Sequence, residues 1–183
     1  MPIAAPPQSI PADSLFHASL PVFDYVDVFG SEFGSQANLQ VGDALRAFFL
    51  CAPPWVRFLM RLRDRIVSRI GLKTSEAMDE AALARLEIAP GKGAGVFRIW
   101  AVAENEIITG EDDRHLDFRV LARLEKIRPG NRYRLTVATG VHLKNLLGRA
   151  YFLPVKFFHR RIAATLVKAM ARRLSETPAT PAR

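Results

Sequence analysis

The chain has 183 residues, of which 49% are hydrophobic, and it carries a formal net charge of +8. This length is typical of one domain with a single core, since a second independent core would leave two small halves. No apolar stretch approaches the roughly 20 residues of a membrane-spanning helix. The first twenty residues contain no Lys or Arg, so the basic region of a secretory signal is not seen, and Cys51 has no second cysteine with which to form a disulfide. We therefore expect a cytoplasmic protein.

The two ends of the chain differ in composition from the rest. Residues 1–21 are rich in Pro, Ala and Ser and are expected to form an arm that lies on the surface or moves freely. Residues 175–183 have the composition of a frayed, disordered tail. The predicted domain therefore covers residues 22–174, and neither end is expected to carry catalysis.

Apolar periodicity predicts a strand followed by helices in the first half of the chain. Residues 22–28 alternate with both faces partly apolar, which indicates a strand at an edge or a seam of a sheet. Residues 43–51 are compatible with a short helix that ends before Pro53, because proline disfavours helical geometry in the preceding residue. A second helix is predicted over residues 54–70, with apolar side chains at helical spacing and Gly71 placed to end it.

The second half of the chain contains a series of half-buried strands. They follow a helix-compatible segment and a glycine-rich loop, residues 73–83 and 89–95, and cover residues 96–103, 106–110, 116–124 and 131–144. In the clearest strand, Leu116, Phe118 and Val120 alternate with Asp117 and Arg119, so that one face is apolar and the other polar. A sheet with one such apolar face must bury it against another layer.

A basic segment closes the domain. Eight Lys or Arg residues occur between Lys144 and Arg173, with no Asp or Glu among them. Apolar residues spaced by three or four positions predict a long amphipathic helix, and its predicted buried stripe is Val155, Phe158, Ile162, Leu166 and Met170. These elements predict an α+β fold, in which a curved antiparallel sheet is gripped by a long C-terminal helix and two short helices follow the first strand.

Several phrases resemble the bacterial domain family DUF2867. They are G-E-D-D-R-H-L-D-F-R-V (110–120), T-G-V-H-L-K-N-L-L-G-R-A-Y (139–151), V-K-F-F-H-R-R-I (155–162) and W-V-R-F-L-M-R-L-R-D-R-I-V-S-R-I-G-L-K (55–73). The resemblance spans the chain from about Asp24 to Arg173. It implies a helix-grip fold similar to START and Bet v 1 domains, in which sheet and helix enclose an apolar cavity. It implies no activity, catalytic residue or cofactor, and association with a reductase-type protein is expected because related domains follow nucleotide-binding reductase domains.

An acidic turn precedes the clearest strand and contains Glu111, Asp112, Asp113, His115 and Asp117. Oxygen ligands with one imidazole suit a divalent cation. However, the spacing is not that of a calcium loop, and Asp commonly fills turns because it accepts backbone hydrogen bonds there. We therefore expect a structural turn without a metal, in which Asp112 or Asp113 pairs with Arg114 or Arg119.

A second polar group lies where the last strand is followed by the last helix, and its members are His142, Asn145, Arg149, Tyr151 and His159. If the helix crosses the mouth of a curved sheet, these side chains are placed to orient the polar head of a ligand. The alternative is that Asn145 and Arg149 secure the turn and His159 bonds to local backbone. No Ser, Cys or Asp partner of a catalytic histidine is identifiable, and Cys51 is interpreted as a small core residue.

Three functions are compatible with these features. The favoured hypothesis is binding of an apolar or amphipathic small molecule between the sheet and the C-terminal helix, where Ala122, Thr139 and Gly140 leave room. The second is weak contact of the basic helix face with anionic lipid or nucleic acid. The third, less favoured, is an enzyme that uses His142 or His159 as acid or base, since motifs for nucleotide, zinc or serine chemistry are missing. Neither the ligand nor the oligomeric state follows from the sequence.

Overall fold

The structure, a computed structural model, describes residues 9–68, 80–94, 97–127 and 129–178. In these ranges the elements are a 3-10 helix (Leu15–Ala18), β1 (Tyr25–Gly34), α1 (Val41–Leu50), α2 (Pro54–Ser68), α3 (Glu80–Ala84), β2 (Gly93–Ala94), β3 (Phe97–Val102), β4 (Glu106–Asp112), β5 (Leu116–Ile127), β6 (Arg132–Leu143) and α4 (Leu146–Ser175). The predicted α+β helix-grip architecture is confirmed, with helices after the first strand and a long helix at the end.

The strands form one antiparallel sheet in the order β1-β6-β5-β4-β3-β2. The first strand pairs with the last, so that Tyr25 lies opposite Val141 and Phe33 lies opposite Tyr133. A β-bulge between Ile99 and Ala101 shifts the register of β3 against β4, and such bulges bend a strand and increase its twist. The sheet is curved, and we call the face that packs against α1 and α4 its inner face.

Some boundaries differ from the sequence-based predictions. The first strand begins at Tyr25, three residues later than predicted, and extends to Gly34, because its pairing with β6 continues through a polar stretch that shows little alternation. The last helix begins at Leu146 and continues through Pro154, where the proline removes one backbone donor from the helix. The predictions for residues 69–79, including Gly71 as a helix end, lie outside the described residues.

The inner face of the sheet packs against α1 and the C-terminal half of α4. Leu135 on β6 and Met170 on α4 are fully buried there. The other buried residues of this half of α4 are Ala163, Leu166, Val167, Ala171 and Leu174. This single apolar cluster forms the main core, and burial of each large side chain contributes roughly 1.5–3 kcal/mol.

The predicted buried stripe of the last helix is only partly correct. Leu166 and Met170 are buried as predicted, and Val155 and Ile162 are half-buried, but Phe158 is 47% exposed. The inward position in that turn belongs to His159, whose ring lies beside Tyr25 of β1. A step of one residue turns a helix by about 100°, so that Phe158 is rotated away from the sheet.

The outer face of the sheet is also covered. Phe16, in the 3-10 helix, is 1% exposed and packs with Ile108, Leu121 and Ala138. Gly140 lies on this outer face, where an added Cβ would collide with the rings of Phe23 and Phe16. The prediction that Gly140 leaves room on the inner face is therefore wrong, and part of the segment predicted as an arm contributes to this outer layer.

A buried ion pair fixes the N-terminal segment to the outer face. The guanidinium Nη1 of Arg123 lies 2.9 Å from Glu106 Oε2, and both side chains are buried. The Ser14 hydroxyl donates to the same oxygen at 2.9 Å, and the Leu15 N–H donates to Glu106 Oε1 at 2.7 Å. A buried carboxylate is tolerated when donors satisfy its lone pairs, so the N-terminal segment completes the environment of this pair.

Replacing Phe16 with Ala is expected to lower the free energy of unfolding by about 3–5 kcal/mol, as truncation of large buried aromatic side chains does. Equilibrium urea denaturation measures the change. The matched control is Leu15→Ala, because Leu15 is the neighbouring residue and is exposed. Equal and small losses in both variants would mean that the segment does not pack on the sheet as described.

Candidate functional site

A short row of polar side chains crosses the otherwise apolar inner face of the sheet. Asp27 of β1 lies opposite Thr139 of β6, and Thr139 lies opposite Val120 of β5, which in turn lies opposite Thr109 of β4. The α4 residue His159 approaches Asp27. A few polar groups on an apolar concave surface are the usual means of orienting a bound small molecule, so we take this row as the centre of the candidate site.

Asp27 is the most unusual member of the row. Its side chain is only 8% exposed, and its Oδ2 accepts a hydrogen bond from the Tyr25 hydroxyl at 2.6 Å. His159 Nε2 lies 3.4 Å from the same oxygen without a well-aligned hydrogen bond. The other oxygen, Oδ1, is buried and has no hydrogen-bond partner in the described part of the chain. An unsatisfied buried carboxylate oxygen is costly, and it marks a position where a donor group would be stabilised.

Tyr25 is held in place from several sides. Its ring packs edge-on against Phe152, with centroids 5.1 Å apart, and the ammonium of Lys156 lies 5.3 Å from the ring centroid. Burial raises the pKa of the Tyr25 phenol, and the hydrogen bond to Asp27 raises it further. The hydroxyl therefore stays protonated and serves as a donor to Asp27.

Four phenylalanines form a cluster on the same side of the sheet. Phe48 and Phe49 come from α1, Phe97 from β3 and Phe118 from β5, and the centroid of Phe97 lies 5.2–5.6 Å from those of the other three in edge-to-face geometry. All four are half-buried. The alternation of its strand had predicted that Phe118 would be buried more completely. Two strand spacings and two residues of rise put the Cα of Phe118 about 12 Å from that of Asp27, and Phe97 lies two strands further away.

A separate cavity lies between α1, α3 and the C-terminal end of α4. Its volume is about 230 Å³, with Ala47, Leu50 and Leu83 in its wall and Arg46 and Arg173 at its polar edge. Small-molecule pockets commonly measure roughly 300–1,000 Å³, so this cavity is small for a ligand. It shares no residue with the polar row or the phenylalanine cluster.

Two of the five predicted site residues, His142 and Arg149, interact with Asp24, just before β1. His142 Nδ1 lies 3.1 Å from Asp24 Oδ2, and the Leu143 N–H donates to that oxygen at 2.7 Å. The backbone hydrogen bond from Leu143 is the main cause that lowers the pKa of Asp24, and His142 and Arg149 lower it further. This arrangement ties the start of β1 to the end of β6.

Two further predicted residues organise the beginning of α4. Asn145 caps the helix, since its Oδ1 accepts a hydrogen bond from the Gly148 N–H at 3.0 Å while its Nδ2 donates to the Arg114 carbonyl at 2.9 Å. Gly148 is needed there because a Cβ would collide with the His115 carbonyl oxygen. Tyr151 stacks edge-on against the buried ring of His115 at 5.0 Å.

Of the five predicted residues, His159 alone joins the polar row, and it does so with two residues that the sequence analysis did not select. Asp27 and Tyr25 lie two positions apart on β1 and face the same side as Phe29 and Phe33, which contribute to the main core. An acidic residue on the apolar face of a strand is the signal that identifies Asp27. This signal can be used only when the bounds of β1 are known.

The acidic turn pairs its charges with neighbouring cations. Asp112 Oδ1 lies 2.9 Å from Arg119, as predicted, and Asp117 lies 2.6 Å from the ammonium of Lys144. Arg119 in turn stacks over the ring of Trp100 at 3.6 Å. Within the described ranges, no three His, Cys, Asp or Glu side chains are arranged to hold a metal ion.

Cys51 is half-buried and packs against the main core. Burial raises the pKa of its thiol, which lowers the fraction of nucleophilic thiolate at neutral pH. Its interpretation as a core residue agrees with this environment. Across the described ranges, every helix also falls short of the length and apolarity that crossing a bilayer demands.

Solved structures show distant likeness to the chain. The crystal structure of Ara h 8.0201 is 15% identical over 84% of this chain and 100% of its own, with a TM-score of 0.37. The di-domain ARO/CYC StfQ from the steffimycin biosynthetic pathway is 13% identical over 84% of this chain and 51% of its own, with a TM-score of 0.39. A solution NMR structure of a protein from Arthrobacter aurescens is 14% identical over 86% and 95% of the two chains, with a TM-score of 0.39.

These likenesses are weak, and the architecture is assigned from the strand order and helix packing of the chain itself. Among proteins of curated function, no significant match was found. A family model described as "Protein of unknown function (DUF2867)" matches residues 19–166. This match covers both β1 and the strand-to-helix turn, and the chain therefore belongs to the DUF2867 family.

Proposed function

We propose that the protein binds a small amphipathic molecule on the inner face of its sheet. The observation that carries this proposal is the buried Oδ1 of Asp27, which no described residue satisfies and which shares the inner face of the sheet with the half-buried phenylalanine cluster. The polar end of the ligand contacts Asp27, and its apolar body lies against Phe97 and Phe118. The phenylalanine cluster supplies apolar area, and the carboxylate supplies orientation.

The chemistry at Asp27 restricts the polar end of the ligand. A carboxylate oxygen only accepts hydrogen bonds, and Tyr25 and His159 are already directed at the other oxygen. The matching ligand group is therefore a donor, such as a hydroxyl, an amine or an amide N–H. A ligand carboxylate is disfavoured because two like charges in a poorly solvated site repel each other.

Binding is favoured over acid-base catalysis by the surroundings of the two histidines. His142 is tied to Asp24 at the sheet edge, and Asp24 also holds the Leu143 backbone. His159 is paired with Asp27, and the neighbouring Tyr25 hydroxyl is directed at the same carboxylate, with its pKa raised. A phenol in that state is a poor nucleophile, so the cluster is better suited to hold a polar group than to attack one.

Truncation of the aromatic wall is expected to weaken binding of a neutral apolar dye such as Nile red. Phe97→Ala removes the ring that contacts three other phenylalanines, and the lost apolar contact corresponds to roughly tenfold weaker binding. Fluorescence titration of the purified protein measures the affinity. The matched control is Phe58→Ala, which truncates an exposed phenylalanine on α2. If Phe58→Ala weakens dye binding and Phe97→Ala does not, the site lies elsewhere.

Replacing Asp27 with Asn is expected to change ligand preference without unfolding the protein. In competition with Nile red, the wild-type protein should prefer a long-chain alcohol or amine over the carboxylate of equal length, and Asp27→Asn should abolish that preference. Because the change removes a poorly satisfied buried charge while keeping its shape, the free energy of unfolding should stay equal or rise. Asp24→Asn is the matched control, since Asp24 lies outside the concave face.

Two outcomes would contradict this role for Asp27. One is a wild-type protein that binds the carboxylate as tightly as the alcohol or the amine. The other is an Asp27→Asn variant that is destabilised by several kcal/mol yet keeps the wild-type preference, which would make Asp27 a structural residue.

A further inference from the structure

The N-terminal half of α4 presents apolar side chains away from the protein. Leu146, Leu153 and Phe157 are 83%, 75% and 73% exposed. They are separated by seven and four residues, so they form one stripe along the helix, which we call the outer apolar stripe. Leu147 and Phe158 beside it are about half exposed. Single exposed apolar residues are common on proteins, but a contiguous patch of large ones marks an interaction surface.

The patch is confined to this half of the helix. Further along α4, the exposed positions are polar and include Lys168 and Arg172, while the apolar residues of that half are buried against the sheet. The buried side of the N-terminal half is occupied by Phe152. The outer apolar stripe therefore takes no part in the core that the described residues form, and it points away from the side of the helix that packs on the sheet.

Basic side chains flank the stripe. Arg149, Lys156 and Arg160 are exposed and repeat at the same seven- and four-residue spacing. No Asp or Glu occurs between Lys144 and Ser175, so no carboxylate of the helix itself balances their charge. The surface thus combines large apolar side chains with basic ones, of which Arg149 also lowers the pKa of Asp24 and Lys156 lies over the ring of Tyr25.

We propose that this surface docks onto an anionic lipid bilayer, with α4 lying in the plane of the membrane surface. The outer apolar stripe enters the boundary between headgroups and acyl chains, at a depth of about 5–10 Å, and Arg149, Lys156 and Arg160 contact lipid phosphates. The apolar and basic components act together, because each supplies attraction that the other lacks. This inference is independent of the ligand proposed for the inner sheet face.

Charge complementarity distinguishes a bilayer from other occupants. A second copy of the chain would place two surfaces of the same positive sign against each other, and like charges in contact are repulsive. A nucleic acid would satisfy the arginines and lysines but would leave Leu146, Leu153 and Phe157 without a partner. An anionic bilayer satisfies both components of the surface.

The test is co-sedimentation of the full chain with vesicles of phosphatidylcholine alone and with vesicles that also contain phosphatidylglycerol. Wild-type protein should sediment with the anionic vesicles, and binding should fall as salt is added. The double variant L153E/F157E should bind roughly tenfold more weakly or worse, because it removes the apolar insertion and adds repulsion. The double variant K156Q/R160Q should lose more binding than its matched control K168Q/R172Q, which removes two charges from the same helix outside the patch.

Circular dichroism and thermal unfolding establish that each variant is folded. If L153E/F157E does not fold, Phe157→Trp supplies a second measurement, because it keeps an apolar side chain. Its extra tryptophan emission should then shift to shorter wavelength with anionic vesicles.

The proposal is overturned if wild-type protein does not bind anionic vesicles, or if it binds heparin or DNA but not lipid. It is also overturned if L153E/F157E binds as well as wild type, or if K168Q/R172Q loses as much binding as K156Q/R160Q. Loss of binding in Phe58→Glu alone would assign the lipid contact to α2, where Phe58 is also exposed. A wild-type dimer that L153E/F157E converts to a monomer, without vesicle binding, would assign the stripe to self-association.

Discussion

The structure depends on the packing of the C-terminal half of α4 against the inner face of the sheet. Leu135, Met170 and Ala171 are fully buried, and Leu174 is buried beside them. This contact joins the last helix to strands and to α1 in one apolar cluster. Because the interior there is close-packed, the direction of the whole helix is fixed from its C-terminal end.

The N-terminal half of α4 has fewer buried residues than the C-terminal half. Asn145 and Gly148 fix its beginning and Phe152 anchors one turn, but the turns between Phe152 and Ala163 bury no large apolar side chain completely. On the sheet side of these turns, His159 approaches Asp27. On their solvent side lies the outer apolar stripe. Both candidate sites therefore involve the part of α4 that the core does not require. In such a part, buried polar groups and exposed apolar groups cost the fold the least stability.

The sequence predicted the architecture well because each strand and helix carries its own periodic signal. The alternation around Leu116 and Val120 and the helical spacing of Leu166 and Met170 are local patterns, and both residue pairs are buried as these patterns predict. The polar row could not be predicted in the same way. It depends on the pairing of β1 with β6, which joins residues more than a hundred positions apart, and no local pattern specifies that register.

Two errors have the same origin. The prediction placed Phe158 on the buried side because apolar residues usually turn inward. His159 takes that side instead, because Asp27 on the sheet below stabilises a polar partner. Gly140 was assigned to the inner face because its sequence neighbours do not reveal that the rings of Phe23 and Phe16 cover it on the outer face. In both cases the deciding neighbour is distant in sequence, and its position is fixed only by the completed sheet.

The late pairing of β1 has a consequence for synthesis on the ribosome. The 3-10 helix and β1 are translated about a hundred residues before their partners Ile108, Leu121 and β6. During that interval the nascent chain displays an unpaired strand with valines and aromatic side chains, which is prone to intermolecular pairing. Asp13, Asp24, Asp27, Glu32 and Asp43 are distributed along this same region, with no Lys or Arg before Arg46. Charges of one sign oppose such pairing, and two of these acidic residues, Asp24 and Asp27, lie beside His142 and His159 in the folded protein.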